Sequence, residues 1–250
     1  MAVSIDAPRE RHDTFRGEVG SFDRTLEAAE LARDVGVPTQ VNTTVCETTV
    51  ETLPDVRDLV AEMGAVLWSV FFLVPVGRGK LLEPIDPDRA EAVLEWLHTI
   101  SEETPFGIKT TEAPSYRRVA LQRNGSSTET PSADAIGRRG GIVAGDGFAF
   151  VSHTGELYPS GFLPNPAGNV TDGDVVELYR ESALFEALRD RDRLRGKCGA
   201  CEFRNVCGGS RSRAFATTGD PLASDPLCSY VPDGYDGELP WRRTSSGLRY

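Results

Sequence analysis

No window of eighteen apolar residues occurs in the 250-residue chain, so its sequence offers no membrane-spanning helix. The start, Met1-Ala2-Val3-Ser4-Ile5-Asp6-Ala7-Pro8, lacks the basic and apolar segments of a signal peptide, and cytoplasm is the expected compartment. Lysine is almost missing. Lys80, Lys109 and Lys197 are the only three, leaving 24 of the 27 basic residues to arginine. Basic charge is also outnumbered: 38 acids bring the net charge to −11, which argues against a nucleic-acid partner. Cysteine is scarce but unevenly placed. Cys46 stands alone in an alternating apolar run and reads as a small buried hydrophobe. The other four, Cys198, Cys201, Cys207 and Cys228, fall within 31 residues with the spacing C-x2-C-x5-C-x20-C.

Four thiolates can fill every corner of a tetrahedral zinc site or bind every iron of a [4Fe-4S] cluster. The segment from Lys197 to Gly209 is too short and too polar to fold around its own core, so the cysteines are expected to staple it. In a reducing compartment two disulfides are disfavoured. The spacing alone leaves zinc and cluster open. Between residues 189 and 213 eight cations face three acids. A local excess of this kind offsets thiolate charge, although arginines that merely solvate short helices would give the same composition.

The first half alternates strand and helix signals. Ala2 to Asp6 reads as the end of a strand, and Ser21 as the cap of a helix that reaches Val35 and stops at Gly36. Val37 to Cys46 alternates like a strand. Pro54 fits the first turn of a helix to Met63. Ala65 to Val74 is nearly all apolar, as expected of a parallel strand covered on both faces. Asp86 and Pro87 open a helix to about Glu102, and Phe106 to Thr110 forms a further strand. The order predicts an α/β fold with a parallel sheet. Asn124 to Gly141 is polar and glycine-rich, a linker by composition. Beyond it, 147–152 and 156–159 flank Thr154-Gly155 as a hairpin, with short helices between Val175 and Arg189. The expected division is 1–123, a linker at 124–145, a small second domain at 146–232 and a mobile tail at 233–250.

Taken in order, these segments resemble the radical SAM enzymes that carry a C-terminal SPASM or shortened "twitch" domain. Ser4-Ile5-Asp6-Ala7-Pro8 with His12 to Gly17 resembles the fourth strand of the radical SAM barrel and its loop. Gln40 to Val45 resembles the fifth strand, and Phe71 to Gly79 the sixth. Gly155 to Phe162, Gly168-Asn169-Val170 and the cysteine set resemble the SPASM hairpin and its ligands. The resemblance implies a partial (β/α) barrel followed by a SPASM-like domain. It implies a [4Fe-4S] cluster on the four cysteines, and S-adenosylmethionine held by Ser4, Asn42 and the backbone near Leu73. Reductive cleavage of that cofactor would yield a radical that takes hydrogen from a cofactor, tetrapyrrole or peptide substrate. Ser160 stands where a hairpin cysteine is usual, Arg211 stands where a C-x3-C from Cys207 would close, and no cysteine lies in 140–146. All three losses belong to a first auxiliary cluster, so the one implied here is the second. The C-x3-C-x2-C loop of the radical-forming cluster is also absent. The resemblance therefore implies that a separate polypeptide, or a portion before Met1, supplies the first half-barrel, with a reductant protein as a further partner. The rival expectation is a non-catalytic zinc or iron–sulfur module.

Overall fold

The computed structural model describes residues 1–125, 143–240, 242–244 and 247–249. Most of the segment expected to be a linker lies outside the described residues. The chain divides into two compact units, one of residues 1–73, 81–85 and 95–111, the other of 74–80, 86–94 and 112–250.

The first unit is a parallel sheet with helical crossovers. Its strands are β1 (Ala2–Ser4), β2 (Gln40–Val45), β3 (Leu67–Phe72) and β4 (Gly107–Thr111), hydrogen-bonded in that order. Every pairing is parallel, which requires a crossover between each pair. Helices α1 (Arg9–Arg16) and α2 (Ser21–Asp34) make the first, α3 (Leu53–Glu62) the second and α4 (Pro87–Ser101), of which residues 95–101 belong to this unit, the third.

Strand β2 alternates strictly. Val41, Thr43 and Val45 are buried, while Gln40, Asn42 and Thr44 stay half-exposed. Strand β3 is apolar apart from Ser69. Trp68, Val70 and Phe72 are buried on one face; on the other Ser69 is fully buried, with Leu67 and Phe71 half-buried. Cover is thus complete on one face and partial on the other. Trp68 anchors the core with its ring edge-on to Trp96 and Phe106, centroids 6.1 and 6.3 Å away. Its indole N–H donates to Thr43 Oγ1 at 2.8 Å, and that hydroxyl donates to the Ile5 carbonyl at 2.6 Å. One threonine thus satisfies a buried donor and a buried acceptor on two neighbouring strands.

Helix α2 starts one residue earlier than a Ser21 cap would place it. Ser21 lies inside the helix, and Gly20 is the residue before its first turn. The cap comes from Asp13 on α1, whose carboxylate accepts the Gly20 and Phe22 N–H groups at 2.6 and 2.8 Å. Those donors hold Asp13 below the ordinary carboxylate pKa. Gly36, with φ of +73°, ends α2 as expected, and the Val37 N–H closes on the Ala32 carbonyl at 2.8 Å. Asp86 caps α4 by accepting the Arg89 N–H at 2.9 Å. Cys46 is fully buried beside Thr48 and Thr49, as its surroundings predict.

In the second unit β5 (Phe150–Val151), β6 (Glu156–Tyr158) and β7 (Gly168–Asn169) form an antiparallel sheet. The first two make the expected hairpin. Helix α5 (Ser115–Arg123) belongs to this unit, followed by α6 (Val175–Glu181), α7 (Ala183–Arg189), α8 (Gly196–Ala200) and α9 (Arg211–Thr218). One apolar cluster of this unit joins Ala144, Leu163, Ala187, Leu188, Leu194 and Leu222, and Leu157, Phe185 and Ala214 are buried as well. Near the end, Arg242–Thr244 and Gly247–Arg249 pair as antiparallel strands β8 and β9. Among the described residues no helix is long and apolar enough to cross a membrane.

Two outcomes test the first unit. Thr43→Val leaves both the Trp68 indole and the Ile5 carbonyl without a partner, and should cost about 1–3 kcal/mol for each buried group in urea unfolding. His12 is 1% exposed and accepts the Asp6 N–H on Nδ1 at 3.2 Å. Its pKa lies below the ordinary 6.5: burial lowers it most, Asp6 pulls up, Arg16 pushes down and Asp13 pulls up. Below pH ~6.5 the unfolded chain binds a proton that native His12 resists, so stability present above that pH falls as pH drops through it. His12→Gln should flatten the urea midpoint against pH across this window; an unchanged slope would count against the assignment.

Candidate metal centre

The four cysteines reach one place through short backbone turns. Cys198 sits on α8 and Cys201 just past its end. The Arg204 N–H closes on the Cys201 carbonyl at 3.0 Å and the Cys207 N–H on the Phe203 carbonyl at 2.8 Å, folding the x5 spacer onto itself. Cys228 follows a turn in which its N–H points at the Asp225 carbonyl at 3.4 Å. All four then line a single cavity with Arg118, Lys197, Arg204, Gly208, Gly209 and Tyr230. Cys198 and Cys207 are buried, Cys201 and Cys228 half-buried, and no cysteine is in a disulfide.

Two N–H groups of the main chain donate to sulfur: Gly209 to Cys207 Sγ and Asp225 to Cys198 Sγ, both at 3.4 Å. Gly208 and Gly209 have φ of +67° and +65°, and a Cβ at Gly209 would lie 3.1 Å from Cys198 Sγ. The pair of glycines is therefore required both by conformation and by the closeness of the sulfur.

Charge surrounds the cavity in an ordered way. Lys197, 2% exposed, donates through Nζ to the Cys228 carbonyl and, at 3.4 Å, to the Tyr230 carbonyl, tying the fourth cysteine to the helix of the first. Arg118, also 2% exposed, makes a forked pair with Glu91 at 2.7 and 2.5 Å, and its guanidinium lies 4.9 Å from the Tyr230 ring centre. Burial would lower its pKa, but Glu91, and after it Cys228, hold it above the ordinary arginine value. Several cations of the basic stretch are already paired: Arg191 with Asp146, Arg195 with Asp220 and Arg204 with Asp192.

Burial pushes the Cys207 thiol far above its usual pKa, and neighbouring Cys228 adds to this. Cys228 is raised to about 11 by burial, with Lys197 and Arg118 pulling the other way. Burial raises Cys201 as well. A metal entering this site has protons to displace. Among the described residues no group of three or more His, Cys, Asp or Glu side chains is spaced to hold a single metal ion. One zinc ion needs its sulfurs within ~4 Å of one another, given Zn–S bonds near 2.3 Å. A four-iron cluster gives each thiolate its own iron and accepts wider spacing. The donor set, all sulfur and lined by N–H donors and buried cations, fits a cluster.

Behind the cysteines lies a polar network that the sequence did not announce. Asp225 is 2% exposed and accepts Arg213 Nη1 on both oxygens at 3.1 Å and the Ser210 N–H at 2.7 Å. Burial alone would raise its pKa; Arg213 first, and then the Ser210 and Leu227 N–H groups, bring it below the ordinary carboxylate value. Glu112 is the one non-glycine residue with positive φ, +55°, among the described residues. Its carboxylate accepts hydroxyls from Ser210 at 2.5 Å, Ser212 at 2.9 Å and Ser160 at 3.5 Å, and its carbonyl accepts Arg213 Nη2 at 2.7 Å. Contacts at both ends of the residue hold a conformation that would otherwise be costly.

The other expected residues lie in the first unit. Ser4 and Asn42 are direct register partners, and the same rung continues to Ser69 and Lys109. Ser4 ends β1, but Asn42 is the third of six residues in β2 and so sits mid-strand. Its Oδ1 accepts Gln40 Nε2 at 2.6 Å. Leu73 lies just past β3, about 13 Å along the strand from the rung of Ser4 and Asn42, with its N–H on the Val45 carbonyl at 3.2 Å.

No protein-family model matches the chain. An AdoMet-dependent heme synthase from Methanosarcina barkeri is 40% identical over 238 residues, covering 93% of this chain and 68% of the relative. A protein of the same name from Nitratidesulfovibrio vulgaris is 38% identical over 92% of this chain and 65% of its own length. The chain thus spans about two thirds of these curated relatives. In fold it matches Streptococcus suis SuiB, crystallised with the precursor peptide SuiA, with a TM-score of 0.64 over 92% of this chain and 53% of SuiB, at 17% identity. Sequence and fold agree, and the chain belongs to the radical SAM family.

Proposed function

We propose that the chain is an iron–sulfur protein of radical SAM/SPASM type in which Cys198, Cys201, Cys207 and Cys228 hold one auxiliary [4Fe-4S] cluster. The observation that carries this reading is the single cavity that all four line, with N–H groups aimed at two of the sulfurs. When bound, the cluster supplies one-electron transfer or a point at which substrate is organised. The surrounding residues have their own tasks. Gly209 and Asp225 steady the sulfurs through their N–H groups. Lys197 ties the Cys228 segment to α8, and Gly208-Gly209 leave the space that a side chain would fill.

In this reading the sheet β1–β4 serves as the later part of a radical SAM barrel, and residues 146–232 as a SPASM-like domain. Ser4, Asn42 and the backbone at Leu73 contribute to the S-adenosylmethionine cavity. The names of the heme-synthase relatives favour a tetrapyrrole substrate over a peptide. These 250 residues contain no C-x3-C-x2-C loop. The radical step is accordingly assigned to this chain together with the segment that carries one, whether on a separate polypeptide or before Met1, fed by a reductant protein in the cytoplasm.

Anaerobic reconstitution of the 250-residue chain with iron and sulfide is expected to give four iron and four sulfide per chain and broad visible absorbance. Stoichiometric zinc in a colourless protein under the same conditions would overturn the cluster. Cys201→Ser should lose most of the bound iron and raise amide hydrogen exchange across residues 143–232, while β1–β4 remain protected. Full iron content in that variant would remove Cys201 from the ligand set.

A further inference from the structure

Arg211 is fully buried, and its guanidinium is aimed at a cysteine sulfur. Nε donates to the Gly209 carbonyl at 3.2 Å, and Nη1 to the carbonyls of Pro221 at 2.9 Å and Ala223 at 2.7 Å. Nη2 points at Cys198 Sγ at 3.6 Å. Its exposure is 0%, and among the described residues its hydrogen-bond acceptors are three carbonyls and one sulfur, with no carboxylate. The nearby Asp225 carboxylate is shared with Arg213, and the cost of burying the Arg211 guanidinium falls further when a negative group occupies the neighbouring space. The neighbouring space here is the cysteine cavity.

We infer that Arg211 is a positioning residue that raises the reduction potential of the cluster on Cys198, Cys201, Cys207 and Cys228; the inference rests on the cluster reading given above. Reduction of a thiolate-bound cluster takes up one electron from an external reductant and adds one negative charge. A fixed positive charge one contact away from a ligand sulfur favours the reduced state. Its N–H···S contact works in the same direction, since hydrogen bonds to ligand sulfur are a lever on cluster potential. The geometry also explains why the charge is fixed. Three carbonyls hold the planar fork in place, and the helix that starts at Arg211 is capped by Ser210 Oγ on the Arg213 N–H at 3.0 Å. The adjacent Asp225 is engaged by Arg213. A lysine reaches a single point and cannot meet the carbonyls and the sulfur together.

The test is spectroelectrochemical titration of the reconstituted chain beside Arg211→Gln and Arg211→Lys, with iron and sulfide measured in each. Arg211→Gln is expected to keep four iron and four sulfide, and to shift the reduced-to-oxidised ratio at fixed potential about tenfold toward oxidised. For a one-electron couple that is a midpoint about 59 mV more negative. Arg211→Lys should shift the same way by less. A fully loaded Arg211→Gln protein with the wild-type midpoint overturns the inference and leaves the cluster reading standing. If Arg211→Gln does not retain the cluster, Arg211→Lys decides, and a wild-type midpoint there overturns it. Failure of the wild-type chain to take up iron and sulfide removes the cluster reading itself, and is told apart by metal content before any potential is measured.

Discussion

The second unit depends on buried cations, each held by groups that keep its charge in place. Its apolar core includes Leu157, Leu163, Phe185 and Leu188, but between residues 195 and 213 the buried side chains are Lys197, Cys198, Cys207, Ser210, Arg211, Ser212 and Arg213, so apolar burial does not order that stretch. The work falls instead on Arg213 with Asp225, Arg118 with Glu91, and Lys197 and Arg211 on main-chain carbonyls. Removing one partner of a buried pair costs about 3–5 kcal/mol, because the other is left charged and unpaired. That penalty is a strong filter on alternative packings. The cysteines inherit this order. Asp225 faces both ways, taking Arg213 on its carboxylate and giving its N–H to Cys198.

The same feature decides what the sequence could reveal. The first unit is legible because its signals are those of burial and capping. Gln40 to Val45 alternates, Asp86 announces α4, and Gly36 ends α2. The four cysteines are legible because their spacing is chemical. Helices α5 and α9 are not. The inner face of α5 is Ser115, Arg118 and Val119, and that of α9 begins Arg211, Ser212, Arg213. A search for apolar periodicity reads such residues as solvent-facing, and here they are the core. Helix α1 is missed for a related reason, since His12 is its one buried residue. The cap of α2 escapes because Asp13 lies seven residues before Gly20, across a turn, rather than next to the helix. Basic residues between 189 and 213 read as one island, but Arg191 and Arg195 are neutralised by Asp146 and Asp220 from outside it, and Arg204 by Asp192 within it. Charge pairing at long range leaves no local trace.

Ser160 and Arg211, in the proposed SPASM-type reading, stand where a second cluster would have had ligands. Taking a metal centre out of a fold removes cross-links as well as electrons, and the chain segments it joined must be tied some other way. The Glu112 carboxylate takes up that task on one side by joining Ser160 to Ser210 and Ser212, residues that are 50 and more apart in sequence. Arg211 does so on the other, binding Pro221 and Ala223 carbonyls while reaching Cys198. Both ties are polar and directional, which suits a place where covalent geometry once fixed positions. They differ in consequence. The serine–glutamate group is neutral apart from one carboxylate and can only hold. Arg211 carries a full positive charge against a ligand sulfur, so it holds and also biases the charge that the cysteines can carry. In the proposed reading, a position at which one centre would have a ligand acts instead on the other.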